Sequence, residues 1–309
     1  MRPRGAGAGA HHRGQRRPPV RRAGVGVSEP LNRSQLELLR AHDVRPVKRR
    51  GQNFLLDGNL ARAIAADCLE LGSDVLELGA GGGALTFPLL EAGATVTAVE
   101  VDRHLCDLLR EETAGRERFR LVEADIARLD WSATLDLAGP RPVVAGNLPY
   151  VLTSEVLFAL IDHRRRVAGA VFMIQREVAA RLAAGPGSKE YGVLAVVLGS
   201  QFEVEVRRQV PAAVFWPRPD VVSAVVVLRP RPDTWDDGEL SRFRALVKGL
   251  FQQRRKRTAT VLRALCGVDE AAAAGWCRAA GVDPDARPEQ APRAALRELA
   301  RLIPGEDVR

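Results

Sequence analysis

Cysteine is scarce in this chain of 309 residues: Cys68, Cys106, Cys266 and Cys277 stand far apart, with no Cys-x-x-Cys pair. That spacing excludes a disulfide framework and the usual zinc patterns, so the four read as reduced packing residues and no metal is expected. Long apolar runs are absent too. No stretch approaches the roughly 18 residues of a membrane helix, and the N-terminus lacks the apolar segment of a secretory signal, so no membrane partner and a cytoplasmic location are expected. Aromatic residues make up only 5%, against 46% hydrophobic residues in all. This is the balance of a soluble globular chain with room for one large domain and a small one.

Acidic residues are missing from the N-terminus: Arg2, Arg4, Arg13, Arg16, Arg17, Arg21 and Arg22 all precede the first acid, Glu29. Without those seven arginines the formal charge of +8 falls to +1. The excess charge therefore belongs to a Gly/Pro/Arg-rich tail, residues 1–30, with too few apolar side chains to fold.

Past the tail, short apolar runs at 75–78, 95–100, 119–123, 142–145 and 168–174 alternate with helical stretches, the pattern of a parallel α/β sheet. Runs at 202–210 and 223–228 have no long crossover between them and predict an antiparallel pair at the sheet edge. Helical spacing at 241–251, 257–265, 270–280 and 293–302 predicts a small helical domain. The expected division is a tail (1–30), a sheet domain (31–232) and a helical domain (233–309).

Two segments carry chemistry. Residues 75–86 run from an apolar strand through Gly79, Gly81 and Gly83 into a helix, and such glycines let backbone approach a ligand. Glu100 ends the next strand 21 residues past Gly79, near the spacing at which an acid meets ribose hydroxyls in nucleotide-binding α/β folds. Ala84 stands where the dinucleotide fingerprint wants its third glycine, which favours S-adenosylmethionine over NAD. The second segment, Asn147-Leu148-Pro149-Tyr150, follows a buried strand and joins an amide, a stiffening proline and an aromatic ring. The amine of adenine is a poor nucleophile because its lone pair is delocalised. Acceptors at the Asn147 side chain and the Leu148 carbonyl, with Tyr150 stacked on the base, would bias it for attack without a strong general base.

Together these segments resemble the ribosomal RNA adenine dimethyltransferase family, from about Val44 to Ala264. The resemblance implies a Rossmann-like class I S-adenosylmethionine-dependent methyltransferase sheet with a small C-terminal helical domain. Gly51-Gln52-Asn53-Phe54-Leu55 resembles the entry motif, in which Asn53 and Leu55 would meet the methionine end of the cofactor. Glu77 to Gly81 resembles the cofactor loop, Glu100 the ribose ligand, and Glu123-Ala124-Asp125-Ile126 the segment whose aspartate meets the cofactor's adenine. Asn147 to Tyr150 is similar to the catalytic motif, and 214–223 to a second aromatic segment in which Phe215 would face Tyr150 across a flipped base.

Of the family's two branches, residues 173–192 and Gln252-Gln253-Arg254-Arg255-Lys256-Arg257 resemble the housekeeping enzymes, which dimethylate two adjacent adenines near the 3′ end of small-subunit rRNA in ribosome biogenesis. The other branch dimethylates a large-subunit adenine and confers macrolide resistance. A non-catalytic RNA-binding protein on the same fold is a third reading. The expected partner is small-subunit rRNA or a small-subunit precursor, met by a monomer. Two departures stand out: Val151 replaces the Asn that usually follows the motif, which bears on the number of methyl groups transferred, and Ala80 replaces a proline. Lys48, Arg49, Arg50, Arg254, Arg255, Lys256 and Arg257 are expected to meet RNA. Trp216 and Arg218 could reach neighbouring nucleotides, whereas Arg164 to Arg166 read as a solvated helix end.

Overall fold

The computed structural model describes residues 34–47, 51–232 and 235–304. The arginine-rich tail and Lys48, Arg49 and Arg50 lie outside the described residues.

Strand β1 spans Phe54–Leu55, β2 Asp74–Leu78, β3 Thr95–Glu100, β4 Phe119–Glu123, β5 Val143–Asn147, β6 Gly169–Gln175, β7 Phe202–Val210, β8 Phe215–Trp216 and β9 Ser223–Pro230. Seven of them form one sheet in the order β4-β3-β2-β5-β6-β9-β7. The first five are mutually parallel, while β9 runs antiparallel to both β6 and β7. The inner strands are apolar and buried along nearly their whole length because helices cover both faces; β4 and β7, at the edges, are mostly half-buried or exposed.

Aspartates fix where many of the helices begin. Asp57, Asp102, Asp130, Asp236 and Asp269 each accept backbone N–H groups that the first helical turn leaves unpaired. The chain order reverses between β2 and β5, with β3 and β4 on one side and β6 on the other. In open α/β sheets this break leaves a crevice at the carboxyl ends of the strands. Gly79 follows β2 there and Asn147 ends β5.

A second, two-stranded ribbon had no counterpart among the expected elements. β1 pairs antiparallel with β8, placing Phe54 opposite Trp216 and Leu55 opposite Phe215. The Leu56 N–H adds a bond to the Val214 carbonyl oxygen at 2.8 Å.

Helices Asp237–Gln252, Thr258–Cys266, Glu270–Ala279 and Arg293–Leu302 follow the sheet. Phe243, Leu246 and Leu250 share one buried core with Phe202 and Tyr191 of the preceding region. Arg164 is a correction to the sequence reading: its side chain is 5% exposed and donates to the Trp235 carbonyl oxygen at 2.7 Å and to Asp237 at 2.8 Å. It ties the chain leaving the sheet to the start of the helical region. Arg207 and Arg208 reach Asp67 at 3.0 and 2.8 Å, binding β7 to helix Gly58–Leu69.

Candidate active site

A cavity of about 500 Å³ opens at the reversal of the sheet, a size suited to a small-molecule ligand. It is lined by Asn53, Leu55, Gly79, Gly81, Glu100, Asp125, Ile126, Asn147, Leu148, Pro149 and Tyr150. Phe215 is not among its lining residues. It is buried at 5% exposure opposite Leu55 in the ribbon, because its strand is held by β1.

The glycine loop is built as the sequence suggested. Gly79, Gly81 and Gly83 have φ of 72°, 57° and 82°, a region side-chain-bearing residues rarely occupy. The Gly79 and Ala80 N–H groups donate to the Val99 carbonyl oxygen at 2.9 and 3.1 Å. Glu100 holds the loop from the neighbouring strand: Oε2 accepts from Gly81 N–H at 2.8 Å, and Oε1 from Val101 and Asp102 N–H at 2.9 Å each. Burial raises the Glu100 carboxyl above its ordinary range, and these three backbone donors oppose the rise. Helix Gln35–Ala41 closes over the loop from outside, with Gln35 Nε2 donating to the Gly82 carbonyl oxygen at 2.8 Å.

Asn147 has one assignable orientation. A backbone carbonyl can only accept, so the contact of 2.9 Å to the Asn53 carbonyl oxygen must be made by Nδ2. Oδ1 is thereby left as the acceptor. The Leu148 N–H is engaged by the Met173 carbonyl oxygen at 3.2 Å, and the Leu152 N–H takes the Pro149 carbonyl at 2.9 Å. Among the described residues no donor takes the Leu148 carbonyl oxygen. The segment leading to Tyr150 thus holds two acceptors, Asn147 Oδ1 and the Leu148 carbonyl oxygen. Asp125 is exposed, and its Oδ1 caps the following turn through Ala127 N–H at 3.0 Å.

Glu77 is a site residue to which the sequence reading assigned no role. It is 2% exposed, lines the cavity, and accepts from the Thr86 hydroxyl at 2.6 Å. Burial pushes its carboxyl up to about 8, the Thr86 hydroxyl lowers it, and nearby Glu100 adds to the rise. The signal was an acid between the apolar residues Leu76 and Leu78 of β2. Glu77, Glu100 and Asp125 give the lining three carboxyl groups, of which burial keeps Glu77 protonated near neutral pH, and, among the described residues, no lysine or arginine. Such a wall suits a cationic ligand such as a sulfonium and repels a pyrophosphate.

Of the expected RNA contacts, Arg254 and Arg257 are paired inside the chain. Arg254 bonds Glu289 at 2.5 Å, and Arg257 meets Asp285 at 2.6 Å and Glu270 at 3.4 Å. Arg255 and Lys256 are exposed. Among the described residues no three or more potential metal-ligating side chains come together, and no helix is long and apolar enough to cross a membrane.

A family model described as ribosomal RNA adenine dimethylase matches residues 45–302, beyond the span that carried the resemblance. The chain is 44% identical over 281 residues to a ribosomal RNA small subunit methyltransferase A of Anaeromyxobacter sp. (strain K), covering 86% of this chain and 96% of that one. A protein of the same name from Magnetococcus marinus is 40% identical over 268 residues, covering 85% and 94%. Among solved structures, a dimethyladenosine transferase from Plasmodium falciparum superposes with a TM-score of 0.66 at 22% identity, over 80% of this chain and 95% of that one. The 23S rRNA methyltransferase ErmE gives a TM-score of 0.62 at 26% identity, over 81% and 99%.

Proposed function

This chain belongs to the ribosomal RNA adenine dimethylase family, and we propose that it transfers methyl groups from S-adenosylmethionine to N6 of two adjacent adenines in the 3′-terminal hairpin of small-subunit rRNA. The observation that carries the reading is the orientation of Asn147, whose Nδ2 is spent on Asn53 so that its Oδ1, like the Leu148 carbonyl oxygen, is left to accept. Two acceptors match in number the two hydrogens of an exocyclic amine.

S-adenosylmethionine bound in the cavity would supply an electrophilic methyl group on a cationic sulfonium. Asn53 and Leu55 would meet its methionine end, Gly79 and Gly81 its backbone-facing edge, Glu100 its ribose, and Asp125 and Ile126 its adenine. The target base would stack on Tyr150 while Asn147 Oδ1 and the Leu148 oxygen hold its amine hydrogens, turning the nitrogen lone pair toward the methyl. Asn147 and Leu148 would hold the amine while it took the methyl group, the sulfur leaving as a neutral thioether, and the resulting ammonium would lose its proton to solvent. The chain's part is positional and electrostatic. Phe215, buried opposite Leu55 in the ribbon, would be the second aromatic side of the base pocket. The helical region, 233–309, would grip the folded RNA, with Arg255 and Lys256 facing phosphates. A single copy working in the cytoplasm meets these requirements.

The small-subunit target is favoured over the large-subunit one because relatives at 40–44% identity carry the small-subunit name, against 26% for the 23S enzyme. Methyl transfer from labelled S-adenosylmethionine to unmethylated small-subunit particles, with large-subunit RNA in parallel, tests this. Dimethyladenosine in the small subunit is the expected product. Label confined to the large subunit would move the chain to the resistance branch, and none in either would leave a binding role.

A further inference from the structure

Tyr150 opens a short helical turn, Tyr150–Leu152, whose first residue has no side-chain cap, and its ring stands half-buried at the cavity wall. Its backbone alone does not choose a direction for the ring. The far end of the side chain, however, is held: Oη lies 3.2 Å from Oγ of Ser223, a residue 73 positions away. Ser223 is 1% exposed and lines no part of the cavity. It is a fixed post, since it opens β9 paired with Gln175 of β6 on one side and Val210 of β7 on the other. The adjacent Val222 carbonyl oxygen is also fixed, by the Arg176 N–H at 2.9 Å.

From this geometry we infer that Ser223 is a positioning residue for methyl transfer, acting through Tyr150; the inference rests on Tyr150 being the ring on which the target base stacks. Tyrosine Oη lies on the Cβ–Cγ axis, so anchoring it selects one χ1 well and fixes the direction of the ring axis. A ring free to visit other wells would offer its stacking face for only part of the time. The effect should be larger on the second transfer. A monomethylated amine has already exchanged one of the hydrogens held by Asn147 and Leu148, so stacking carries a greater share of its positioning.

The test is a double-mutant cycle on unmethylated small-subunit particles with Ser223→Ala, Tyr150→Phe and the pair together, plus Ser223→Thr. Each single variant removes one end of the same link. Each should lower kcat by about 5- to 20-fold, in keeping with one lost hydrogen bond, with the KM for cofactor unchanged and monomethyladenosine accumulating. The double variant should be no slower than either single one, and Ser223→Thr should restore dimethylation. Tyr150→Phe leaves the buried serine in place, so its result stands even if Ser223→Ala folds poorly. Wild-type rates in Tyr150→Phe, or losses that multiply in the double variant, would overturn the inference. A wild-type protein that methylates no RNA would instead remove the proposed function, and the role of Ser223 with it.

Discussion

The side-chain nitrogen of Asn147 donates to the main-chain oxygen of Asn53 across 2.9 Å, joining the end of β5 to the residue that precedes β1. The bond does two things at once. It spends the donor half of the amide, leaving the acceptor half for substrate, and it ties the catalytic segment to the entry motif at the methionine end of the proposed cofactor site. Asn147→Ala should therefore lower kcat by on the order of 10²–10³-fold, the cost of losing one preorganised polar contact to a reacting group. Asn147→Asp should be as inactive, because a carboxylate would face the Asn53 oxygen with no proton to share. Calorimetry with S-adenosylmethionine should show both variants still binding. Turnover near the wild-type rate in either would remove Asn147 from the chemistry.

Glu77 makes stability depend on pH in a direction opposite to that of most carboxylates. Its folded-state value of about 8 lies above the ordinary 4.5, so the folded chain keeps a proton that the unfolded chain releases. Stability should then fall as pH rises from about 4.5 to about 8 and level off above that. Glu77→Gln keeps the shape and removes the titration. The difference in Tm between wild type and variant, measured from pH 5 to 9, should move in favour of the variant up to about pH 8 and then flatten. Parallel curves would mean that Glu77 is not carrying a proton in the folded state.

What the sequence made legible follows from how local each signal is. The buried strands announced themselves as apolar runs, and the glycine loop by alternating residues whose positive φ only glycine adopts cheaply. The ribbon of β1 and β8 was hidden because two residues per strand give no periodicity and the partners lie far apart in the chain. The setting of Phe215 was hidden for the same reason: its place in a strand follows from pairing with Leu55, not from its own neighbours. The helix expected at 241–251 begins earlier, at Asp237, since Asp236 accepts from Glu239 N–H and starts it despite Gly238. Arg254 and Arg257 resemble their neighbours in sequence, yet Glu289 and Asp285, supplied from more distant chain, take them out of the free basic surface.

Gly146 sets how closely β5 and β2 approach just before the catalytic segment. A Cβ at that position would sit 2.4 Å from the Leu78 carbonyl oxygen and 3.4 Å from Leu148 Cδ2. The first obstacle is backbone in a strand paired on both sides, so neither strand can yield without disturbing the ladder. Gly146→Ala should cost about 1–3 kcal/mol, as overpacked core positions do, and should lower activity beyond that because Asn147 is the next residue. Denaturant unfolding with a methyl-transfer assay on the folded fraction checks both. Unchanged stability and rate would mean that the strands have room the structure does not show.

The four consecutive basic residues 254–257 should divide into two pairs by what they already touch. Arg255, Lys256 and Arg257 are exposed, but Arg257, like the half-buried Arg254, is already paired with a carboxylate of the chain. Each phosphate contact releases condensed counterions, so losing two should make the slope of log K against log salt shallower by about 2 units. Ser substitutions at Arg255 and Lys256 should produce that change in RNA binding with no loss of Tm. The same substitutions at Arg254 and Arg257 should leave Glu289 and Asp285 without their partners, lowering Tm modestly because these pairs are partly exposed, while the salt slope barely moves. Equal slopes for the two pairs would show that the internal ion pairs open on RNA binding, and all four cations would then belong to the interface.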